Sequence, residues 1–253
     1  MPMGKTDGST SRRRRVGVVI MAALLLVTLG ACSTSPVNGP GEAAKSLPEL
    51  GDSAPAEWRY ARFRLQPAPD GEVNSYLDGL IADRILEPLI VRYADEVPLW
   101  RFHRRWPDDA TGHQFSFIFF AAPAVGDALI ARLERAPLLQ RLKSDGDLIE
   151  FRVDRLAPER ASDPAATSDT AWPIEIQREW PKFIMGASSM WLGLVGTEAD
   201  KRADLEIHQR YQAVEVAVDE MWFKHGNHAF FHHLSALFGY KPVRVIRRDV
   251  MTF

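Results

Sequence analysis

The fold is decided by residues 99–121, which read LWRFHRRWPDDATGHQFSFIFFA. Large apolar residues alternate with arginine and histidine over 99–106, the period of a strand with one apolar face. The loop 107–112 holds proline, two aspartates and glycine, which favour a turn. Residues 113–121 are apolar on both faces towards their end, which is typical of a central strand. The stretch therefore predicts a β-hairpin whose second strand lies inside a sheet.

The flanking sequence extends this hairpin to a complete α+β unit over residues 57–156. Strand-like alternation covers 57–66 and 148–154, and apolar residues recur at helical spacing over 73–89 and 123–143. We expect Pro88 to kink or split the first helix. The resulting order, βαββαβ, is the ferredoxin-like arrangement, in which two helices cover one face of an antiparallel sheet.

The rest of the chain predicts a linker over 157–171 and a helical C-terminal subdomain over 172–253. Pro181 is expected to open one helix, and Thr197 with Asp200 forms a capping pattern for the next. Gly226 is expected to end that helix and Asn227 to cap another, with a last strand near 243–245. We expect these helices to pack on the first unit, because about 80 residues are few for an independent core.

Composition excludes several classes of protein. The chain has 253 residues, 46% of them hydrophobic, with 31 basic and 33 acidic side chains and a single cysteine. One thiol cannot form an internal disulfide, and the apolar content argues against wholesale disorder. The net charge of −2 gives no electrostatic case for nucleic acid as a partner.

The amino-terminal residues resemble the precursor of a bacterial lipoprotein. Four arginines at 12–15 precede an apolar run over 16–29, and Leu29-Gly30-Ala31-Cys32 is similar to a lipobox. The resemblance implies a signal peptide over 1–31, cleavage before Cys32, and palmitate or a related acyl group attached to the Cys32 sulfur. The alternative is an uncleaved amino-terminal anchor with an incidental cysteine.

This resemblance also implies a location. Ser33 after the cysteine favours the outer membrane over the inner one, with the protein facing the periplasm. The export route stays open between the general and the twin-arginine pathways, because Ser11-Arg12-Arg13 fits both. Residues 32–56 are rich in serine, proline, glycine, alanine and glutamate and predict a flexible tether. The predicted partner is thus the membrane, through lipid on Cys32. Without residues 1–31, whose net charge is +4, the chain carries −6.

A second resemblance covers about residues 57–240. Five segments have the order and spacing of the thiopeptide-type bacteriocin biosynthesis domain, which is also the C-terminal elimination domain of lantibiotic dehydratases. They are Trp58–Phe63, Leu86–Ile90, Trp100–Arg105, Gly112–Phe117 and Phe183–Ser189. His113 matches the family, but Phe115 and Phe117 stand where its catalytic arginines would be. Phenylalanine cannot pair with a carboxylate, so the resemblance implies the fold without that chemistry, and peptide binding as what remains.

Two groups of histidines are candidate sites. His103 and His113 flank the hairpin and, with Asp108 and Asp109, could form an acid–base cluster; cross-strand surface pairing is the alternative. His228 and His232, four residues apart, could hold zinc with His225 as a third ligand.

We favour an alternative in which these histidines hold no metal. No His-Glu-x-x-His motif is present. His225 could instead complement a helix C-terminus, and His232 could pack among aromatic residues.

Arginines and serines complete the candidates. One sheet face carries four arginines that could bind a carboxylate or phosphate: Arg62, Arg64, Arg101 and Arg105. Alternatively, they could pair with Glu150, Asp154 and other acids of the neighbouring strand. The run 186–189 lacks the frame of a nucleophile elbow and predicts close helix packing.

Two functional hypotheses follow from different classes. The first is a non-enzymatic binding or scaffolding lipoprotein with a peptide or protein partner, without a cofactor. The second is an enzyme, either a degenerate peptide-modifying domain or a histidine-dependent metal hydrolase. The sequence predicts no oligomeric state.

Overall fold

The computed structural model describes residues 55–68, 71–105 and 112–240. The predicted signal peptide, Cys32, nearly all of the tether, Asp108, Asp109 and the predicted last strand lie outside these residues. Within the described residues, no helix has the length and apolar character needed to cross a membrane.

Four strands form one antiparallel sheet in the order β2-β3-β1-β4. They are β1 (Glu57–Leu65), β2 (Leu99–Arg104), β3 (Gln114–Ala121) and β4 (Leu148–Arg155). The helical connection from β1 to β2 passes over β3, which lies between these two strands in the sheet. The helical connection from β3 to β4 likewise passes over β1. The α+β class and the βαββαβ order are confirmed. β3 is buried along its whole length, as its two apolar faces predict.

Short helices cover the first face of this sheet. Between β1 and β2 lie α1 (Tyr76–Ile81), a π-helix that we call π1 (Ala82–Leu86), and α2 (Glu87–Arg92). The irregularity predicted at Pro88 is therefore a π-helical segment directly before the first turn of α2. Between β3 and β4 lie α3 (Pro123–Glu134) and α4 (Pro137–Asp145). The single helix predicted for this stretch is broken because Pro137 holds Ala136 in an extended conformation.

The segment predicted as a linker covers part of the second face of the sheet. It contains α5 (Pro158–Ala161) and a 3-10 helix (Pro164–Thr167), and Ala165 and Ala166 are buried. The indole of Trp58 in β1 donates to the Asp163 carbonyl at 2.9 Å. Residues 157–171 are therefore part of the folded unit.

The C-terminal helices begin and end elsewhere than predicted. They are α6 (Ile174–Asp200), α7 (Ile207–Met221), a second π-helix, π2 (Trp222–His232), and α8 (His233–Leu237). α6 runs through both Pro181 and the capping pattern at Thr197. Gly226 lies inside π2, and the Trp222 ring occupies the space beside it: a Cβ there would lie 2.5 Å from that ring.

Pro181 is tolerated because another donor replaces its missing N–H. In an α-helix residue 181 would donate to the carbonyl of Gln177, which proline cannot do. The hydroxyl of Ser168, from the segment before α6, donates to that carbonyl at 2.7 Å.

The helices pack on the sheet unit. Buried residues of α6 and α7 belong to the same apolar core as the sheet. The hydroxyl of Tyr211 in α7 donates to the carboxylate of Asp83 in π1, and both side chains are buried. The Ser188 hydroxyl accepts from the Phe102 amide at 3.1 Å and donates to the Ile184 carbonyl, which fastens α6 to the edge strand β2.

Candidate functional site

An apolar depression runs along α6, and we call it the α6 groove. Its first part has a volume of about 580 Å³ and lies between α6 and the α7–π2 helix. Its second part, about 400 Å³, lies between α6 and β2. The two parts share Arg104, Ala187 and Trp191 and therefore form one continuous surface.

The walls of the first part are mainly apolar. They include Met190, Leu194, Val218, Met221 and Trp222. Met190 is 45% exposed and Trp222 is 57% exposed. Apolar side chains left in water at the walls of a concave surface are typical of a binding site.

Trp191 forms the junction between the two parts. One side of its ring packs edge-on against Phe102, with centroids 5.5 Å apart. The guanidinium of Arg104 lies over the ring, 4.7 Å from its centroid. The residue is thus anchored to the core while it lines the groove, so the junction is preorganised.

A charge network around the buried Asp78 fixes Arg104 in this place. Its Nε lies 2.9 Å from the carboxylate of Asp78, which is 0% exposed, and its Nη1 lies 3.4 Å from Glu215 in α7. Nε2 of His113 contacts the same Asp78 carboxylate at 3.0 Å. The network connects α1, β2, the start of β3 and α7.

His113 contacts hydrogen-bond acceptors at both ring nitrogens. Nδ1 lies 3.0 Å from the Arg105 carbonyl, and Nε2 faces Asp78. Burial lowers the pKa of His113, but the hydrogen bond and charge of Asp78 outweigh it, so the pKa is raised above its usual range. The imidazolium form is therefore favoured, because it donates to both acceptors.

The two hairpin histidines do not face each other. His103 pairs with Ser116 on the second face of the sheet and lines the second part of the groove. His113 lies instead on the helix-covered side with Asp78 and Arg104. The structure thus replaces the predicted His103–His113 cluster with a His113–Asp78–Arg104 cluster.

The three candidate metal ligands lie on π2 and have separate positions. His225 lines the α6 groove. The rings of His228 and His232 stack 4.9 Å apart, and His233 lies edge-on to both. Within the part of the chain that the structure describes, no three histidine, cysteine or acidic residues form a group that could hold a metal ion.

The arginines of the second sheet face separate into paired and unpaired members. Arg62 pairs with Asp154 at 2.6 Å and Arg64 with Glu150 at 3.5 Å, as the charge pattern predicts. Arg101 lines the second part of the groove and donates from Nη2 to the Thr167 carbonyl at 3.2 Å.

Sequence reasoning missed the residues that build the groove. Trp191 has no local signal that separates it from the core residues of its helix, and Gly186, expected to allow close helix packing, has open space around it. Asp78 did carry a signal, since an acid between Leu77 and Leu80 on an apolar helix requires a buried partner.

Comparison with known proteins gives little further information. No protein-family model matches the chain. No curated protein matches it either. The crystal structure of TsrL is similar, with 12% sequence identity and a TM-score of 0.35, over 73% of this chain and 49% of that one. The matched part is about half the length of TsrL, and a likeness of this degree carries no argument about function.

Proposed function

We propose that this chain is a lipid-anchored binding protein of the bacterial envelope whose folded part binds an amphipathic peptide helix in the α6 groove. The observation that carries the proposal is the apolar channel between α6 and the α7–π2 helix. A channel between two helices accepts the apolar face of a third, with side chains at positions i, i+3, i+4 and i+7 as anchors. The sequence resemblance to a peptide-modifying domain supports the same class of ligand.

The shape of the groove favours a peptide over a small apolar molecule. A site for a small molecule encloses most of its ligand, whereas Met190 and Trp222 remain about half exposed at the walls of this groove. The lining residues of α6 extend from Trp180 to Leu194. At about 1.5 Å per residue this is about 21 Å, the length of a helix of about four turns.

A peptide library tests the binding. The full chain, held in phosphatidylcholine nanodiscs so that no detergent fills the groove, is used to select from displayed 14-residue peptides. These carry apolar residues at one helical face and random residues elsewhere. The best sequence is then synthesised with a fluorescent label and titrated by anisotropy.

Two neighbouring aromatic residues provide matched variants. Trp222→Ala removes a wall of the groove and should weaken binding by about tenfold or more, as for an aromatic hot spot. Phe223→Ala removes a side chain that is 89% exposed and does not line the groove, so binding should change less than about twofold. Selection of no binder tighter than about 100 μM, or equal effects of the two variants, would contradict the proposed function.

The anchor is tested separately. The support for it is the lipobox-like Leu29-Gly30-Ala31-Cys32. Cys32→Ala should abolish labelling by radioactive palmitate and release the protein from the membrane fraction. Ser33→Asp should keep the label but move the protein from the outer to the inner membrane. A Cys32→Ala variant that remains labelled and membrane-bound would refute lipidation.

A further inference from the structure

Arg101 is a largely buried cation whose charge no acid balances within the described residues. Burial lowers the pKa of its guanidinium, and the only other residue that affects this pKa is Tyr60. The neighbouring Arg62, Arg64 and Arg104 each contact a carboxylate. Because a buried charge without a counter-charge is costly, the unbalanced position of Arg101 favours an external anion.

Two donors in this region lack acceptors. Nε of Arg101 is buried and has no hydrogen-bond partner, and the same holds for the hydroxyl of Thr167. Nη2 of Arg101 is held by the Thr167 carbonyl, so the two unsatisfied donors belong to residues in direct contact. Both atoms are inaccessible from the groove, so they add to the cost of this charge, and an anion that balances the charge has to meet the terminal nitrogens of the guanidinium.

Arg101 also has a defined place in the α6 groove. It lines the part between β2 and α6 together with His103, Trp180 and Ile184, and this part continues past Trp191 into the apolar channel. The groove therefore has a cationic end and an apolar remainder. Arg104 at the junction does not share the role of Arg101, because Asp78 and Glu215 already neutralise it.

We infer that Arg101 recognises a carboxylate near one end of the bound peptide, either an aspartate or glutamate side chain or the peptide C-terminus. The inference rests on the proposed function and specifies its ligand: an amphipathic helix with an acidic end. The carboxylate pairs with the terminal nitrogens of the Arg101 guanidinium, and no covalent step is involved. Arg101 is thus a specificity-determining residue of the groove.

The test compares peptides that differ only in this group. A selected 14-residue peptide is made with glutamate at the end position and with glutamine there, each as the C-terminal acid and as the amide. The wild-type chain in nanodiscs should bind the best acidic form at least about tenfold tighter than the fully neutral form. Comparison of the four forms identifies whether the side chain or the C-terminus supplies the carboxylate.

Variants assign the preference to Arg101. In Arg101→Gln the acidic and neutral peptides should bind equally, with the affinity of the neutral peptide for the wild type. Arg101→Lys keeps the charge but removes the planar pair of donors and should reduce the preference by about threefold; it serves as an independent test if Arg101→Gln does not fold. Arg152→Gln is the matched control, because this arginine lies on β4, pairs with Asp154 and does not line the groove.

The outcomes separate this inference from the proposed function. Equal binding of acidic and neutral peptides by the wild type overturns the role of Arg101 and leaves the peptide groove intact. Binding of neither peptide overturns the proposed function itself. Decanoate is added as a competitor: displacement of the peptide by decanoate at comparable concentration would show a fatty-acid site and overturn the inference as well.

Discussion

Replacement of Gly126 by alanine should destabilise the fold, although the same change within a helix normally stabilises it. Gly126 lies in the first turns of α3, and a Cβ at this position would lie 2.7 Å from Nε and 2.9 Å from Cδ of Arg59. Arg59 has little freedom to move, because it is 1% exposed and its guanidinium contacts Glu57, Asp127 and the Pro123 carbonyl.

The magnitude follows from two opposing terms. The better helix propensity of alanine contributes about 1 kcal/mol of stability. Overpacking costs about 1–3 kcal/mol, and a weakened charged hydrogen bond of Arg59 costs about 1.5–3 kcal/mol more. We therefore expect a net loss of about 1.5–5 kcal/mol in the free energy of unfolding.

The matched control is Gly193→Ala in α6, where no atom lies within 4 Å of the added Cβ. This variant should gain about 0.5–1 kcal/mol. Both are measured by urea unfolding, followed by tryptophan fluorescence and circular dichroism. A Gly126→Ala chain that is as stable as the wild type would refute the reasoning. In an Arg59→Leu background, the penalty of Gly126→Ala should largely disappear.

Three further predictions concern a buried hydrogen bond, a histidine and a glycine. Tyr211→Phe leaves the Asp83 carboxylate without its buried donor and should cost about 1.5–3 kcal/mol of unfolding free energy. The hydroxyl of Tyr76 lies 3.3 Å from the His208 ring, and its removal in Tyr76→Phe should cost less than about 1 kcal/mol. Similar urea midpoints for the two variants would contradict this prediction. The pKa of His113 is raised in the folded chain above the value of 6.5 that it has in the unfolded chain. Protonation of His113 therefore stabilises the fold fully below pH 6.5, and this stabilisation is lost as the pH rises through the higher folded pKa. Urea midpoints between pH 5.5 and 8.5 should therefore fall more for the wild type than for His113→Gln, and parallel curves would count against the assignment. Gly226→Ala pushes the Trp222 ring away and should weaken binding of the selected peptide about tenfold with little change in stability; unchanged affinity would show that this ring position is not needed.

The sheet was predictable from the sequence because its signals are local. Alternation with a period of two identifies β2 and β3 without knowledge of their neighbours, and the order of helices and strands then limits the topology. The pairing of Arg62 with Asp154 was likewise anticipated from charges on adjacent strands.

The helical part was predicted less well because side-chain contacts override the local propensities of proline and glycine. Pro181 predicts the start of a helix, but α6 continues through it because the Ser168 hydroxyl donates to the Gln177 carbonyl. Gly226 reads as a helix end, but it lies under the Trp222 ring inside π2. The α6 groove was not predictable for the same reason, since Arg104, Trp191 and Trp222 converge only after the chain has folded.

The hydrogen bond between Ser168 and the Gln177 carbonyl also constrains how this chain can evolve. Pro181 leaves that carbonyl without its helical donor, so the proline is tolerable only while the serine is present. The reverse does not hold, because a residue other than proline at 181 can donate to the carbonyl itself and makes the serine dispensable. Among descendants of this sequence, Pro181 should therefore accompany a hydroxyl residue at 168, and loss of the serine should follow loss of the proline.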